Sequence, residues 1–281
     1  MTTTPPHLAE LTLTPVPGDR TDEYFATVLR GFHTDYKPEM WGPHKTVFEQ
    51  ERNFGFAVDG RWVSSTGAYT ETMIVPGGSV PIAAVTLVTV SPAYRRRGLL
   101  RSMMTHQLTD IAARGAEPIA LLWASEHAIY GRYGYGETLS RLRLSGPTRP
   151  MTFAPYVDFG DGSVGEVERE EFLPVASRLR ERWLADRPGA LTRSADWWQV
   201  RLHDPEAWRQ GASAYRFALH YAPDAEPDGY AYFRVKDDGP HGGAEVTVTD
   251  LDAATPPAYA ALWRFLLSLD LVRSFRRNDA P

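Results

Sequence analysis

Residues 85–104, VTLVTVSPAYRRRGLLRSMM, constrain the chain more than any other stretch. The β-branched run ending at Val90 favours a pleated strand, because branching at Cβ stiffens the side chain. A loop carrying Arg95, Arg96, Arg97 and Gly98 follows. Then Leu100, Met103, Met104, Leu108 and Ile111 share one face of a helix predicted over 99–113, with Gly115 ending it. The first amides of a helix have no intrahelical acceptor, and the helix dipole adds positive potential there. Gly98 removes a side chain where a ligand must approach the backbone. Cations, open amides and a glycine together make an anion cradle suited to a pyrophosphate. A basic run alone reads as a solvated turn or a nucleic-acid patch; its place between a central strand and an amphipathic helix favours the cradle.

The remaining pattern extends this unit in both directions. Residues 22–33 predict a helix with Phe25, Val28, Leu29 and Phe32 on one face, and 44–51 a second short one. Residues 54–75 predict strands with a hairpin at Asp59-Gly60, and Pro76-Gly77-Gly78 a further turn. Residues 119–124 read as a buried strand, EHAIYGRY as a short helix capped by Ser125, and 138–145 as a last strand with Leu142 and Leu144 alternating against Arg141 and Arg143. This is an α/β domain over 1–147. Residues 148–281 form a second domain: helices over 171–186 and 195–208, three strands (AYRFALHYA, GYAYFRVKD, GAEVTVTDL), then a helix from TPPAYAALWRFLLSL. Three strands leading into a helix in each half read as an internal repeat. Pro92-Ala93-Tyr94 then matches Pro257-Ala258-Tyr259, and Arg95, Arg96, Arg97 and Gly98 fall opposite Ala260, Ala261, Leu262 and Trp263. Arg273–Ala280 reads as a solvated tail.

Composition excludes several chemistries. With no cysteine among 281 residues, disulfides, thiolate metal sites and cysteine nucleophiles are out. The net charge of −5 disfavours a nucleic-acid coat and suits cationic small molecules. The eight histidines show no paired ligand spacing, so no metal is expected, and no GxSxG is present. Gly160–Gly165 matches GxGxxG, but Asp161 would repel a pyrophosphate and no long helix starts at the third glycine. Met1–Pro17 lacks the basic and apolar regions of a signal peptide, and Val80–Val90 is far short of a membrane span of roughly 20 residues, so a cytoplasmic protein is expected. Phe32, Asp35 and Trp41 bring aromatic and acidic groups into one loop region, a mix that suits an amine or plain loop packing. Tyr130 follows a strand and precedes glycines; it is a candidate general acid or a core aromatic.

Together, Arg95-Arg96-Arg97-Gly98-Leu99-Leu100 and Ile129–Tyr135 resemble the pyrophosphate loop and the following aromatic element of the GCN5-related N-acetyltransferase (GNAT) superfamily. The wording RRRGLLR with ASE…IYGRYGYG is similar to the Eis (enhanced intracellular survival) aminoglycoside acetyltransferase family, in which Leu100 in place of a small residue is usual. The resemblance implies two tandem GNAT-like domains, each a mixed, mostly antiparallel sheet flanked by helices, the second degenerate. It implies acetyl-CoA as co-substrate and a cationic primary amine, aminoglycoside or lysine-like, as acceptor, with no nucleic acid or membrane partner and a homo-oligomeric state. Val88, Thr89 and Val90 would offer backbone groups to the pantetheine arm. Arg96, Arg97, Gly98, Leu99, Leu100 and Arg101 would hold the pyrophosphate, with Arg95 close by. Ser125 and Glu126 would contact the cofactor, Tyr130 would act as general acid, and Phe32, Asp35 and Trp41 would border the acceptor. The family's general base is the terminal carboxylate of a third, sterol-carrier-like domain. The sequence to Pro281 has no counterpart to it, so slow turnover, or a CoA-binding module without efficient turnover, is the alternative expectation.

Overall fold

The computed structural model describes residues 11–140, 142–237, 239 and 243–280; Arg141, the Pro281 carboxylate and most of the Thr/Pro-rich start read above lie outside the described residues. The chain forms two compact units, Met1–Glu137 with Arg187–Thr192, and Thr138–Asp186 with Arg193–Pro281. Among the described residues, no helix is long and apolar enough to cross a membrane.

The first unit runs β1 (Leu13–Pro15), α1 (Thr21–Gly31), β2 (Phe54–Val58), β3 (Arg61–Trp62), β4 (Ser64–Val75), β5 (Gly78–Val90), α2 (Leu99–Arg114) and β6 (Ile119–Leu122). Its sheet has the order β1-β2-β4-β5-β6, with β3 pairing β2. Asp59 and Gly60 both take positive φ, 49° and 75°, as a two-residue hairpin turn requires. Strands β4 and β5 are antiparallel and β5 and β6 parallel, with α2 as the crossover. Met103, Met104 and Ile111 bury the expected face of α2. In α1 the buried face is Tyr24, Phe25 and Val28, while Phe32 at the helix end is 47% exposed. The helix expected over 44–51 is replaced by 3₁₀ turns at Pro38–Met40, Pro43–Lys45 and Gln50–Arg52. Prolines start the first two turns, and a proline inside an α-helix removes a donor and clashes with the preceding turn.

The second unit runs β7 (Leu142–Pro147), β8 (Ser163–Val167), α3 (Arg169–Leu184), α4 (Ala195–Arg201), α5 (Glu206–Arg209), β9 (Arg216–Tyr221), β10 (Pro227–Asp237), β11 (Ala244–Ala253), α6 (Pro256–Leu267) and β12 (Val272–Ala280), with sheet order β7-β12-β11-β10-β9-β8. Two expectations fail here. The strand read as the close of the first domain is β7, which pairs with β12 and so belongs to the second sheet. The residues read as a solvated tail are β12 itself, parallel to β11, with Phe275 and Arg277 buried. Pro205 precedes the separate short α5, dividing the single helix expected over 195–208. Gly162 of the GxGxxG run is held by packing: a Cβ there would lie 2.5 Å from the His220 ring and from the Tyr221 carbonyl.

The repeat is real at the level of topology. β1-α1-β2 corresponds to β8-α3-β9, and β4-β5-α2-β6 to β10-β11-α6-β12, in the same strand order. The local match of Pro92-Ala93-Tyr94 to Pro257-Ala258-Tyr259 does not survive. The former is a separate 3₁₀ turn ahead of the arginine loop, whereas the latter lies within the first turn of α6.

Candidate cofactor and acyl-transfer site

The site begins as a fork in the first sheet. β6 pairs with β5 only from Ile82↔Ile119 to Val85↔Leu122. Beyond Val85, β5 carries one extra residue relative to β4: Gly67 lies opposite Thr86, but Ser65 lies opposite Thr89. Leu87 sits in this bulge with φ of 56°. A bulge bends its strand and shifts the side-chain alternation. Accordingly Ala83 and Val85 pack towards α2 before it, Val88 and Val90 after it, and Leu87 turns to the α1 side with Tyr24 and Val28. The Ser91 N–H donates to the Val63 carbonyl at 2.8 Å. The two-residue alternation of an antiparallel pair then directs Thr89 to β4, and the N–H and C=O of Val88 and Val90 to the opposite edge. Among the described residues no strand covers that edge. Of the three residues expected to offer backbone groups, Val88 and Val90 are placed to do so, whereas Thr89 is committed to β4.

The arginine loop turns directly onto the start of α2. Arg96 and Gly98 are both left-handed, with φ of 61° and 85°. For Arg96 that conformation costs roughly 1–2 kcal/mol, a strain of the sort found at ligand clamps. Gly98 occupies the N-cap position and supplies no side-chain cap. The first helical bond runs from Ser102 N to Gly98 O at 2.9 Å, so the amides of Leu99, Leu100 and Arg101 lack intrahelical acceptors. Arg95, Arg96 and Arg101 are exposed and make no ion pair among the described residues. Arg97 differs: it is half-buried, with its guanidinium 5.4 Å from the Tyr94 ring centroid. Leu99 is 1% exposed, which leaves only its backbone to a ligand.

Tyr130 joins these parts. It lies in the short helix expected, a 3₁₀ stretch over His127–Tyr133, but the N-cap position falls on Glu126 and not on Ser125, and no side chain caps it. Val88, Leu100 and Tyr130 all pack on the cluster of Ala68, Ala83, Val85, Met104 and Ile111, so strand, helix start and tyrosine converge. The Tyr130 ring lies 5.9 Å from Tyr135, edge to face. Burial, and then the Glu126 and Tyr133 charges, push its hydroxyl pKa up, which keeps the proton on the oxygen. Ser125 and Glu126 are exposed just past the end of β6. The three acceptor candidates part company: Phe32 and Asp35 are exposed, whereas Trp41 is 9% exposed and stacked on Phe25 at 4.5 Å. Trp41 therefore acts through packing, not as an open binding face. The sequence reading missed Ser65, although a signal was there in the run of three hydroxyl residues Ser64-Ser65-Thr66, which the strand buries fully; it also missed Leu87, which carries no such signal.

The second unit keeps the fork but fills it. Its β11 also carries an extra residue, between Tyr232↔Asp250 and Phe233↔Val248, just past its last ladder pair with β12, Val248↔Arg277. Leu251 thus stands where Val88 stands in the first unit. Its carbonyl accepts from Arg277 Nη2 at 3.0 Å, and Arg277 Nη1 reaches the Tyr259 hydroxyl at 3.0 Å. The guanidinium is buried near the Tyr259 and Trp263 rings. Only Ala254 and Thr255 separate β11 from α6, so the arginine loop has no counterpart. Ala261, Leu262 and Trp263 are core residues of α6.

Known proteins are similar to this chain over both units. Residues 13–138 match the family model of an acetyltransferase (GNAT) domain, and residues 189–281 match a second model of that description. An uncharacterized N-acetyltransferase of Streptomyces avermitilis is 36% identical over 92% of this chain and 64% of its own length. The N-acetyltransferase Eis of Mycobacterium tuberculosis is 38% identical over 70% of this chain and 48% of its own. The crystal structure of Eis1 from Mycobacterium abscessus has a TM-score of 0.71 at 29% identity, covering 96% of this chain and 66% of that one. A probable N-acyltransferase from Enterococcus faecalis shares the fold, with a TM-score of 0.80 at 20% identity, covering 95% of this chain and 64% of that one. The chain therefore spans less than two thirds of the length of the curated relatives named here. With a GNAT domain in each half and Eis proteins among its relatives, the chain belongs to the GNAT superfamily, in its Eis-type branch.

Proposed function

We propose that the first unit is an acetyl-CoA-dependent N-acetyltransferase acting on a primary amine of a cationic acceptor, aminoglycoside or lysine-like. The observation that carries this is the convergence of Val88, Leu100 and Tyr130 on one cluster, beside an uncovered strand edge and an uncapped helix start. The backbone of Val88 and Val90 would hold the pantetheine arm as a strand does. Arg95, Arg96 and Arg101, with the amides of Leu99, Leu100 and Arg101, would hold the pyrophosphate. Acetyl-CoA supplies the acetyl thioester: the neutral amine bonds to its carbonyl carbon, the C–S bond breaks, and the thiolate leaves. Tyr130, kept protonated by burial, would give its proton to that thiolate, while the proton shed by the new amide nitrogen would pass to solvent, from which Tyr130 regains its own. Holding the two reactants together supplies much of the rate. Phe32 and Asp35 at the end of α1, and the net charge of −5, favour a cationic acceptor. The second unit, its fork filled by Arg277, would take no CoA.

The experiment is a calorimetric titration of CoA into the Arg96→Ala variant. A charge-assisted hydrogen bond is worth about 1.5–3 kcal/mol, so the dissociation constant should rise about 10- to 100-fold. Alanine keeps a Cβ, so the left-handed strain at this position is not relieved. An unchanged constant would place the pyrophosphate elsewhere. Binding without thiol release in the presence of an amine would reduce the reading to a CoA-binding module.

A further inference from the structure

We propose that Ser65 is a positioning residue for the cofactor arm: its hydroxyl locks the β5 bulge in the one shape that turns Val88 and Val90 outward. The proposal rests on the reading of the first unit as a CoA site. In the bulge, the left-handed turn at Leu87 takes that residue's carbonyl out of the ladder. Ser65 Oγ, from the neighbouring strand, donates to that carbonyl at 2.7 Å. The same Oγ lies 2.7 Å from Thr89 Oγ1. A serine hydroxyl has a single proton. With that proton on Leu87, Ser65 must accept the second bond, so Thr89 donates. One hydroxyl thus ties the residues on both sides of Val88.

Ser65 is fully buried and Thr89 is 8% exposed, so water cannot replace either bond without opening the strand pair. The surroundings fix the bulge from two further sides. A Cβ on Gly31, at the end of α1, would lie 2.6 Å from Thr89 Cβ, so the helix closes directly over Thr89. A Cβ on Gly67 would meet Asn53 Oδ1 and come 3.4 Å from Leu87 Cδ1. Both glycines allow the close packing that keeps Leu87 and Thr89 where Ser65 can hold them. Without the clamp, β5 can shed its extra residue by slipping its register past β4. Such a slip returns Val88 to the β4 ladder and turns its backbone groups away from the open edge.

The test compares Ser65→Ala, Thr89→Val and Thr89→Ser. Thr89→Val keeps shape and loses the hydroxyl, whereas Thr89→Ser keeps the hydroxyl. Ser65→Ala should raise the CoA dissociation constant about tenfold, the effect of leaving the Leu87 carbonyl and the Thr89 hydroxyl unpaired; Thr89→Val, which keeps the Ser65–Leu87 bond and loses only the tie to Thr89, should raise it about fivefold, and Thr89→Ser should stay within about twofold of the parent chain. In steady-state assays KM for acetyl-CoA rises while KM for the amine and the pH profile stay put. Hydrogen exchange of the amides of residues 86–90 in the unliganded chain should quicken in the first two variants and not in the third. A Ser65→Ala chain with a lowered melting point but parental CoA affinity and parental exchange at 86–90 would overturn the proposal, leaving Ser65 a stability residue. If Ser65→Ala fails to fold, Thr89→Val decides by the same readings. A parental chain that binds no CoA would sink the functional reading instead, and the exchange measurement would still judge the clamp.

Discussion

Replacing Tyr130 by phenylalanine should lower turnover about 10²- to 10⁴-fold while leaving CoA affinity within about twofold, because general acid assistance typically contributes that range. The ring keeps its place on the cluster it shares with Val88 and Leu100, and its edge-to-face contact with Tyr135. Only the proton donor is lost. Thiol release under saturating acetyl-CoA and amine measures the effect. The pH dependence has a definite sign. Burial raises the Tyr130 pKa above its ordinary value of 10.0, so the hydroxyl stays protonated across the neutral range and beyond. The rate in the parental chain should therefore climb with pH as the amine loses its proton, with no descending limb below about pH 10. A Tyr130→Phe chain with parental turnover would return this residue to core packing.

Glu117→Ala should unfold the first unit more readily than any surface change. Arg52 and Glu117 form a two-pronged buried pair, Nη1 to Oε1 at 2.5 Å and Nη2 to Oε2 at 2.7 Å. Their side chains are 4% and 3% exposed. Arg52 also donates to Thr70 Oγ1 of β4 at 2.5 Å, so the pair joins the 3₁₀ turn before β2, β4, and the lead into β6. Breaking a buried pair by removing one partner leaves an uncompensated charge and typically costs about 3–5 kcal/mol. That should lower the melting point of the first unit by on the order of 10 °C. CoA affinity at low temperature should change less than stability, because the pair lies away from the arginine loop in the chain and acts through the start of β6. Calorimetric melting of Glu117→Ala checks this; a midpoint within about 2 °C of the parental chain would show that water or Glu49, 3.7 Å from Arg52, takes over the charge.

Local chemistry wrote much of this fold into the chain. Asp59-Gly60 and Gly115 demand the turns they occupy, and the β-branched run before Ser91 demands a strand. The arginine loop was legible because charge, glycine and helix start coincide within four residues. What stayed hidden depends on partners distant in sequence. The left-handed Leu87 has no local signature, since leucine disfavours that conformation; its carbonyl finds its partner in Ser65 on another strand. Arg273–Ala280 reads as a tail because its charges look solvated, yet Arg277 is buried by aromatic rings and a carbonyl from elsewhere in the unit. Leu142 and Leu144 alternate as a strand should, but alternation does not say which sheet receives it. Trp41 reads in the sequence as open to an acceptor, but in the fold Phe25 stacks on it.

The most direct measurement is the stoichiometry of CoA binding. The two units share a fold, a fork and a bulge, and differ in what stands in the fork: an open strand edge with an arginine loop in the first, the Arg277 guanidinium on the Leu251 carbonyl in the second. If the first unit alone is the cofactor site, calorimetric titration saturates at one equivalent of CoA per chain, and Arg96→Ala weakens that same event. Two equivalents, or one that Arg96→Ala leaves untouched, would contradict the assignment.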